Sequence, residues 1–183
     1  AKLMTRLRAL VSGETPKIGH FISDIKTLEF VNSRDFERLA AVGTSCPDHF
    51  LRTKIAPMTL NPEHVNNDQY LNEEVGRFRQ LYAEYYNRCA QPQDPAMRDP
   101  NPIVTLVPTL GQITFAANKQ TARIAGEFYG NAINVMRGAE TIGDYIGLDE
   151  QEAFNIEYWA LEEAKLKRMP KPSPLSGKIA VVT

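Results

Sequence analysis

The chain has 183 residues, a formal net charge of −1, and 43% apolar and 23% charged side chains, the balance of an ordinary globular domain. No basic stretch is long enough to follow a phosphate backbone, which argues against nucleic-acid binding, and no apolar run approaches the ~18–20 residues that span a bilayer. The start, AKLMTRLRAL, is too short and too charged for a secretory h-region, and two cysteines, Cys46 and Cys89, are too few for a disulfide framework. The expectation is a cytoplasmic protein with reduced thiols.

Residues 1–11 read as a helix, because Leu3, Leu7 and Leu10 recur at spacings of four and three. After KIGHFISD, the run TLEFV (27–31) reads as the first core strand, and Asn32 and Ser33 as caps of a short helix, RDFERLAAV, that stops at Gly43. KIAPMTL reads as a second strand, which Pro57 confines to an edge or bulge. Over residues 68–89, Leu71, Val75, Phe78, Tyr82, Tyr85 and Cys89 fall on one helical face, with Asp68 as the cap. A proline-rich loop follows. Strands IVTLV (103–107) and QITFA (112–116) are joined as a hairpin through PTLG. Asn118 caps a helix whose inner face is Ala122, Ala125, Phe128 or Tyr129, Ala132, Ile133 and Met136, ending near Gly138. The stretch 149–168 is helical in part, 169–177 is a proline-spaced linker, and IAVVT reads as a terminal strand that needs a partner. The fold class is therefore α/β, a mixed sheet of about four strands flanked by helices.

The densest chemistry lies in TSCPDHFLRTK (44–54). Free N–H groups at a helix start, the Thr44 and Ser45 hydroxyls, Asp48, His49, and the cations Arg52 and Lys54 could hold a phosphate or carboxylate. Three plainer facts weigh against chemistry there. Asp48 and Arg52 have the spacing of a helical ion pair. Cys46 and His49 stand three apart with no fourth metal ligand in view, and a lone cysteine is more often a small buried hydrophobe than a nucleophile. A structural corner is the favoured reading, with anion binding as the alternative and no catalytic or metal residue assigned. Arg123 and Glu127, four apart, read as a surface pair.

Several stretches together resemble a known family: GTSCPDHFLRTK, MRDPNP, KQTARIAGEFYGNAINVMRGAE, and above all EAFNIEYWALEEAKLKRMPKPSPLSGKIAVVT. They look like the central part of bifunctional class II aldolase/short-chain dehydrogenases, the rhamnulose-1-phosphate aldolase/alcohol dehydrogenase family. The resemblance implies a parent of rhamnose catabolism with a zinc-dependent aldolase module before this region and an NAD-linked dehydrogenase after it. It implies no cofactor in this chain itself, since the family's zinc histidines have no counterpart here and its glycine-rich turn and Tyr-x-x-x-Lys pair would lie past Thr183. The strand–turn–strand–helix of 103–136 is similar to the end of a class II aldolase domain, with Leu110 where that pattern has histidine, so a degenerate aldolase-like scaffold is expected. The expected organisation is an entering helix or linker at 1–15, a central α/β domain at 16–148, a docking helix and linker at 149–177, and the first strand of a dehydrogenase at 178–183. The expected partners are the flanking aldolase and dehydrogenase modules and a second copy of the chain in a homo-oligomer.

Overall fold

The structure is a computed structural model that describes residues 2–13, 15–44, 46, 49–168, 174–179 and 181. A four-stranded mixed sheet runs in the order β1-β4-β3-β2. Its strands are β1 (Ile18–Ile22), β2 (Met58–Thr59), β3 (Val104–Val107) and β4 (Gly111–Ala116). β3 and β4 form the expected antiparallel hairpin, with Val107 opposite Gly111; β1 pairs antiparallel to β4, with Ile18 opposite Ala116. β2 is a short edge strand, parallel to β3.

The period of two in the central strands builds two cores. From β3, Val104 and Leu106 point to one face, where α2 (Ile25–Val31), α3 (Phe36–Val42) and α6 (Lys119–Glu140) supply Phe30, Leu39, Tyr129 and Ile133. Val107, with Ile113 and Phe115 of β4, points to the other face, against Leu7 and Val11 of α1 (Lys2–Val11) and Leu71 and Val75 of α5 (Asp68–Cys89). Gln112 and Thr114 face α6, and their side chains donate to the Gly126 and Ala122 carbonyls at 3.2 and 2.6 Å. Two sheet polar groups thereby find partners on a helix that lies unusually close. A Cβ on Gly126 would come within 2.5 Å of Ile22 Cδ1, so the small residues on this face set the helix–sheet distance. Tyr129, not Phe128, takes the buried position.

One strand expectation is overturned. Residues 27–31 are part of α2, because the Asp24 carboxylate accepts from Thr27 N at 2.8 Å as a helix cap and Thr27, Phe30 and Val31 are buried at helical spacing. The first strand is instead IGHFI, a half-buried edge whose pattern carries no clear alternation. Asn32 closes α2 and accepts from Thr109 N across the hairpin at 2.8 Å. It does not start α3, whose cap position is Asp35. Asn67, not Asp68, caps α5. α6 is capped by Asn118 as expected and runs past Gly138 to Glu140.

The second half of α5 leaves the sheet. Tyr82, Tyr85 and Cys89 pack with Phe154 and Tyr158, at and just beyond α7 (Glu150–Glu157), which is followed by α8 (Ala160–Arg168). The terminal strand expected at IAVVT falls largely outside the described residues; Ile179 and Val181 are exposed. Among the described residues, no helix is long and apolar enough to cross a membrane.

Candidate functional site

The 43–55 segment is a clamp. Gly43, at φ 77°, is a position where a Cβ would lie 2.3 Å from the Ile55 carbonyl oxygen, and Thr44 N donates to that same oxygen at 2.9 Å. The Tyr145 hydroxyl donates to Gly43 O at 2.9 Å, tying the end of α3 to the loop after α6. Between the clamp's jaws, α4 (Phe50–Thr53) anchors itself with the buried Phe50.

The residues of the predicted anion site do not converge. Thr44 is buried, its hydroxyl accepting from Cys46 N at 3.3 Å. Ser45 and Asp48 lie outside the described residues. The His49 ring stacks on Phe128 at 4.4 Å. Arg52 faces a cavity of about 130 Å³ that it shares with Lys17, Asp99, Asn101 and Thr121. Lys54 turns the other way, into a cleft of about 920 Å³ between α5 on one side and α3 and the β2 edge on the other.

Lys54 is the unusual residue. Its backbone sits at φ 61° and ψ 177°, a region that in practice belongs to glycine and strains other residues by about 1–3 kcal/mol. Its side chain is only 4% exposed. The amine donates to the Asp99 carbonyl at 2.7 Å and stands 3.2 Å from the centroid of the Tyr82 ring, a cation–π contact. Burial drives its pKa down to about 8 against the opposing pull of the Glu157 and Asp99 carboxylates.

Behind Tyr82 lies a buried polar network. Glu157, 1% exposed, accepts from the Tyr82 hydroxyl at 2.7 Å and the Tyr85 hydroxyl at 3.1 Å. Tyr82 and Tyr158 share a hydrogen bond at 2.8 Å. Arg98 donates from its side chain to Glu157 O at 2.8 Å and from its backbone N–H to the Tyr158 hydroxyl at 3.2 Å, and it pairs with Glu163. Burial, then the adjacent Glu157 carboxylate, pushes the Tyr82 and Tyr85 phenols far above their ordinary range, so both stay protonated and donate to Glu157, while the Tyr82 oxygen accepts from Tyr158. Sequence reading placed these tyrosines in the core but missed Glu157 and Arg98 as their partners. The available signal was a buried-face pair of phenols at i, i+3, whose hydroxyls require acceptors.

Two results follow from the Lys54 geometry. Lys54→Gly should be more stable than Lys54→Ala by about 1–3 kcal/mol, because only glycine occupies that backbone conformation without strain; urea unfolding of the two variants measures it. The second concerns pH. A lysine whose folded pKa lies below its unfolded value of about 10.4 holds fewer protons folded than unfolded between pH ~8 and ~10. Stability should therefore rise through that window, by roughly 2–3 kcal/mol from this group. Above pH ~10 the tyrosines reverse the trend, because unfolding frees phenols that then ionise. The rise should be missing from Lys54→Met, so the difference in urea midpoint between the two proteins across pH isolates it.

No donor set for the zinc that the resemblance implies for a parent aldolase is found here. His20 lies on β1, His49 on Phe128 and His64 in the turn before α5, and among the described residues no three His, Cys, Asp or Glu side chains gather as ligands. The described residues do not fit that metal, and no step is assigned to it.

Residues 1–166 match the family described as aldolase class II, second domain. The chain belongs to that family. This second domain is also similar to the uncharacterized oxidoreductase YuxG of Bacillus subtilis (strain 168), at 32% identity over 188 aligned residues that cover 100% of the chain and 27% of the relative. The chain thus spans about a quarter of that relative's length, as a domain of a larger multidomain protein does. No solved structure matches it significantly.

Proposed function

We propose that this chain is the accessory central domain of a two-activity sugar-catabolic enzyme, positioned between a class II aldolase module and an NAD-dependent short-chain dehydrogenase, and not catalytic alone for either reaction. The parent would cleave a ketose 1-phosphate such as rhamnulose 1-phosphate with zinc and oxidise an aldehyde or alcohol with NAD, in the cytoplasm. The oxidoreductase name of the longer relative supports this reading.

The observation that carries it is α8. None of its side chains is buried, and Trp159 and Leu161 are 51% and 55% exposed at its start. A nine-residue helix is marginal in water by itself, and one that buries none of its residues fully suits a bridge between domains. Its tether among the described residues is the Arg98–Glu163 pair. With the downstream module attached, amide exchange over 159–168 should slow by about tenfold or more and Trp159 emission should shift to the blue. Unchanged exchange and emission would count against docking. Turnover of the sugar phosphate or of NAD by this chain alone would end the accessory reading.

A second reading is a retained site for a phosphosugar or carboxylate at residues 44–54. What favours it is that Arg52 reaches the 130 Å³ cavity beside Lys17 and Thr121 with no hydrogen-bond partner of its own among the described residues. Asp99 opposes it there, already bonded to Lys17. This reading requires a phosphate-dependent rise in melting temperature that Arg52→Ala abolishes; no rise leaves the scaffold reading alone.

A further inference from the structure

The fold delivers one amine to the wall of its large cleft, and does so at the cost of a strained backbone. Lys54 ends on a carbonyl oxygen and a ring face, and among the described residues no carboxylate lies within ion-pair distance of Nζ. Ala41, Val42, Ile55 and Leu148 are among the apolar residues that line the same cleft. The two arginines that line the cleft are both paired, Arg88 with Glu150 and Arg77 with Glu74, each at 2.5 Å. A carboxylate or phosphate entering here would meet one desolvated ammonium and two arginines already paired with carboxylates, whereas a neutral amine in an apolar recess is a nucleophile.

We propose that Lys54 captures a small aldehyde or ketone in this cleft as an imine. The ammonium first releases a proton to solvent. The amine lone pair then attacks the carbonyl carbon, the C=O π electrons move to oxygen, and a proton passes from nitrogen to that oxygen to give a carbinolamine. Loss of water leaves the C=N bond, so the sum is amine plus carbonyl gives imine plus water, with no oxidant or reductant. Taking a proton back from solvent, the imine becomes an iminium with one N–H, which can still donate to Asp99 O, and its positive charge sits over the Tyr82 face. The contacts that hold the ammonium therefore serve the product equally well.

The low amine pKa supports this geometry. Burial lowers it, Lys17 and Arg98 lower it further, and Glu157 and Asp99 act in the opposite direction. Near pH ~8 about half of Lys54 would be neutral, against under ~1% of an ordinary lysine.

The test is reductive trapping on the full folded chain, with glyceraldehyde and cyanoborohydride as the probe and peptide mass mapping as the readout. Lys54 should be labelled at least about tenfold faster than the exposed Lys26 and Lys119 near pH ~8, with a pH midpoint near ~8 and not ~10.4. Lys54→Arg should lose this adduct and keep the surface ones. The comparison within one molecule needs no variant, so it stands even if Lys54→Arg folds poorly. Labelling of Lys54 no faster than the surface lysines, or only after unfolding in urea, would overturn the proposal. Neither outcome touches the accessory role, which is read from α8.

Discussion

Glu157→Leu should destabilise the chain by about 3–5 kcal/mol, the range for removing one member of a buried, hydrogen-bonded charged group. The leucine fills much of the volume but accepts nothing. The Tyr82 hydroxyl can fall back on Tyr158, to which it is already bonded. Tyr85 has no such second hydrogen-bond partner among the described residues, and a buried donor left unpaired costs about 1–3 kcal/mol. Glu157→Gln keeps a carbonyl oxygen for one phenol and should lose only about half as much. Adding Tyr85→Phe to Glu157→Leu should then recover part of the loss, because the stranded hydroxyl is gone. Urea midpoints for the single and double variants decide it. A Glu157→Leu protein within about 1 kcal/mol of the parent would show that the network is not held together by this carboxylate.

Gly111→Ala should be nearly as damaging, at about 3 kcal/mol or more. Gly111 stands at φ 118° where the hairpin turns into β4, and a Cβ there would lie 2.4 Å from Ile22 O and 3.2 Å from Ser23 Cα. The obstacle is the backbone of β1, which cannot swing aside as a side-chain tip would. The strain of a non-glycine residue at that φ adds about 1–3 kcal/mol, and relief by moving β1 would break the end of the β1–β4 ladder. The control is Gly130→Ala in the middle of α6, where nothing lies within 4 Å of the added methyl. It should gain about 0.5–1 kcal/mol from helix propensity. In thermal melts the two alanines should move the midpoint in opposite directions, and equal shifts would sink the steric account.

The elements that were legible in the sequence are those whose burial is periodic over a long stretch. α5 and α6 show this, since each repeats its apolar residues for 22 positions, and so does the β3–β4 hairpin with its proline–glycine turn. β1 was not legible, because a half-buried edge strand containing glycine and histidine carries no alternation to read. The run TLEFV was misread because a short, mostly apolar run looks alike in a strand or a short helix, and the deciding feature, the Asp24 cap, lies just outside it. The corner at 44–54 stood out by composition, but its long-range partners could not be read from it. Its composition suggested cations able to hold an anion, whereas the fold turns Lys54 inward onto the Asp99 carbonyl and the Tyr82 ring, which no local spacing can reveal. The Arg123–Glu127 surface pair was local, and it formed as expected.

Because α7 touches α4 and α5 but supplies nothing to either sheet core, the C-terminal helices are mechanically in series with Lys54. A pull or twist applied to α8 itself passes through the Arg98–Glu163 pair to Glu157 and Tyr158, and so to the surroundings of that amine. A neighbour that shifts α8 would thus retune the reactivity of the cleft while leaving the β-scaffold still.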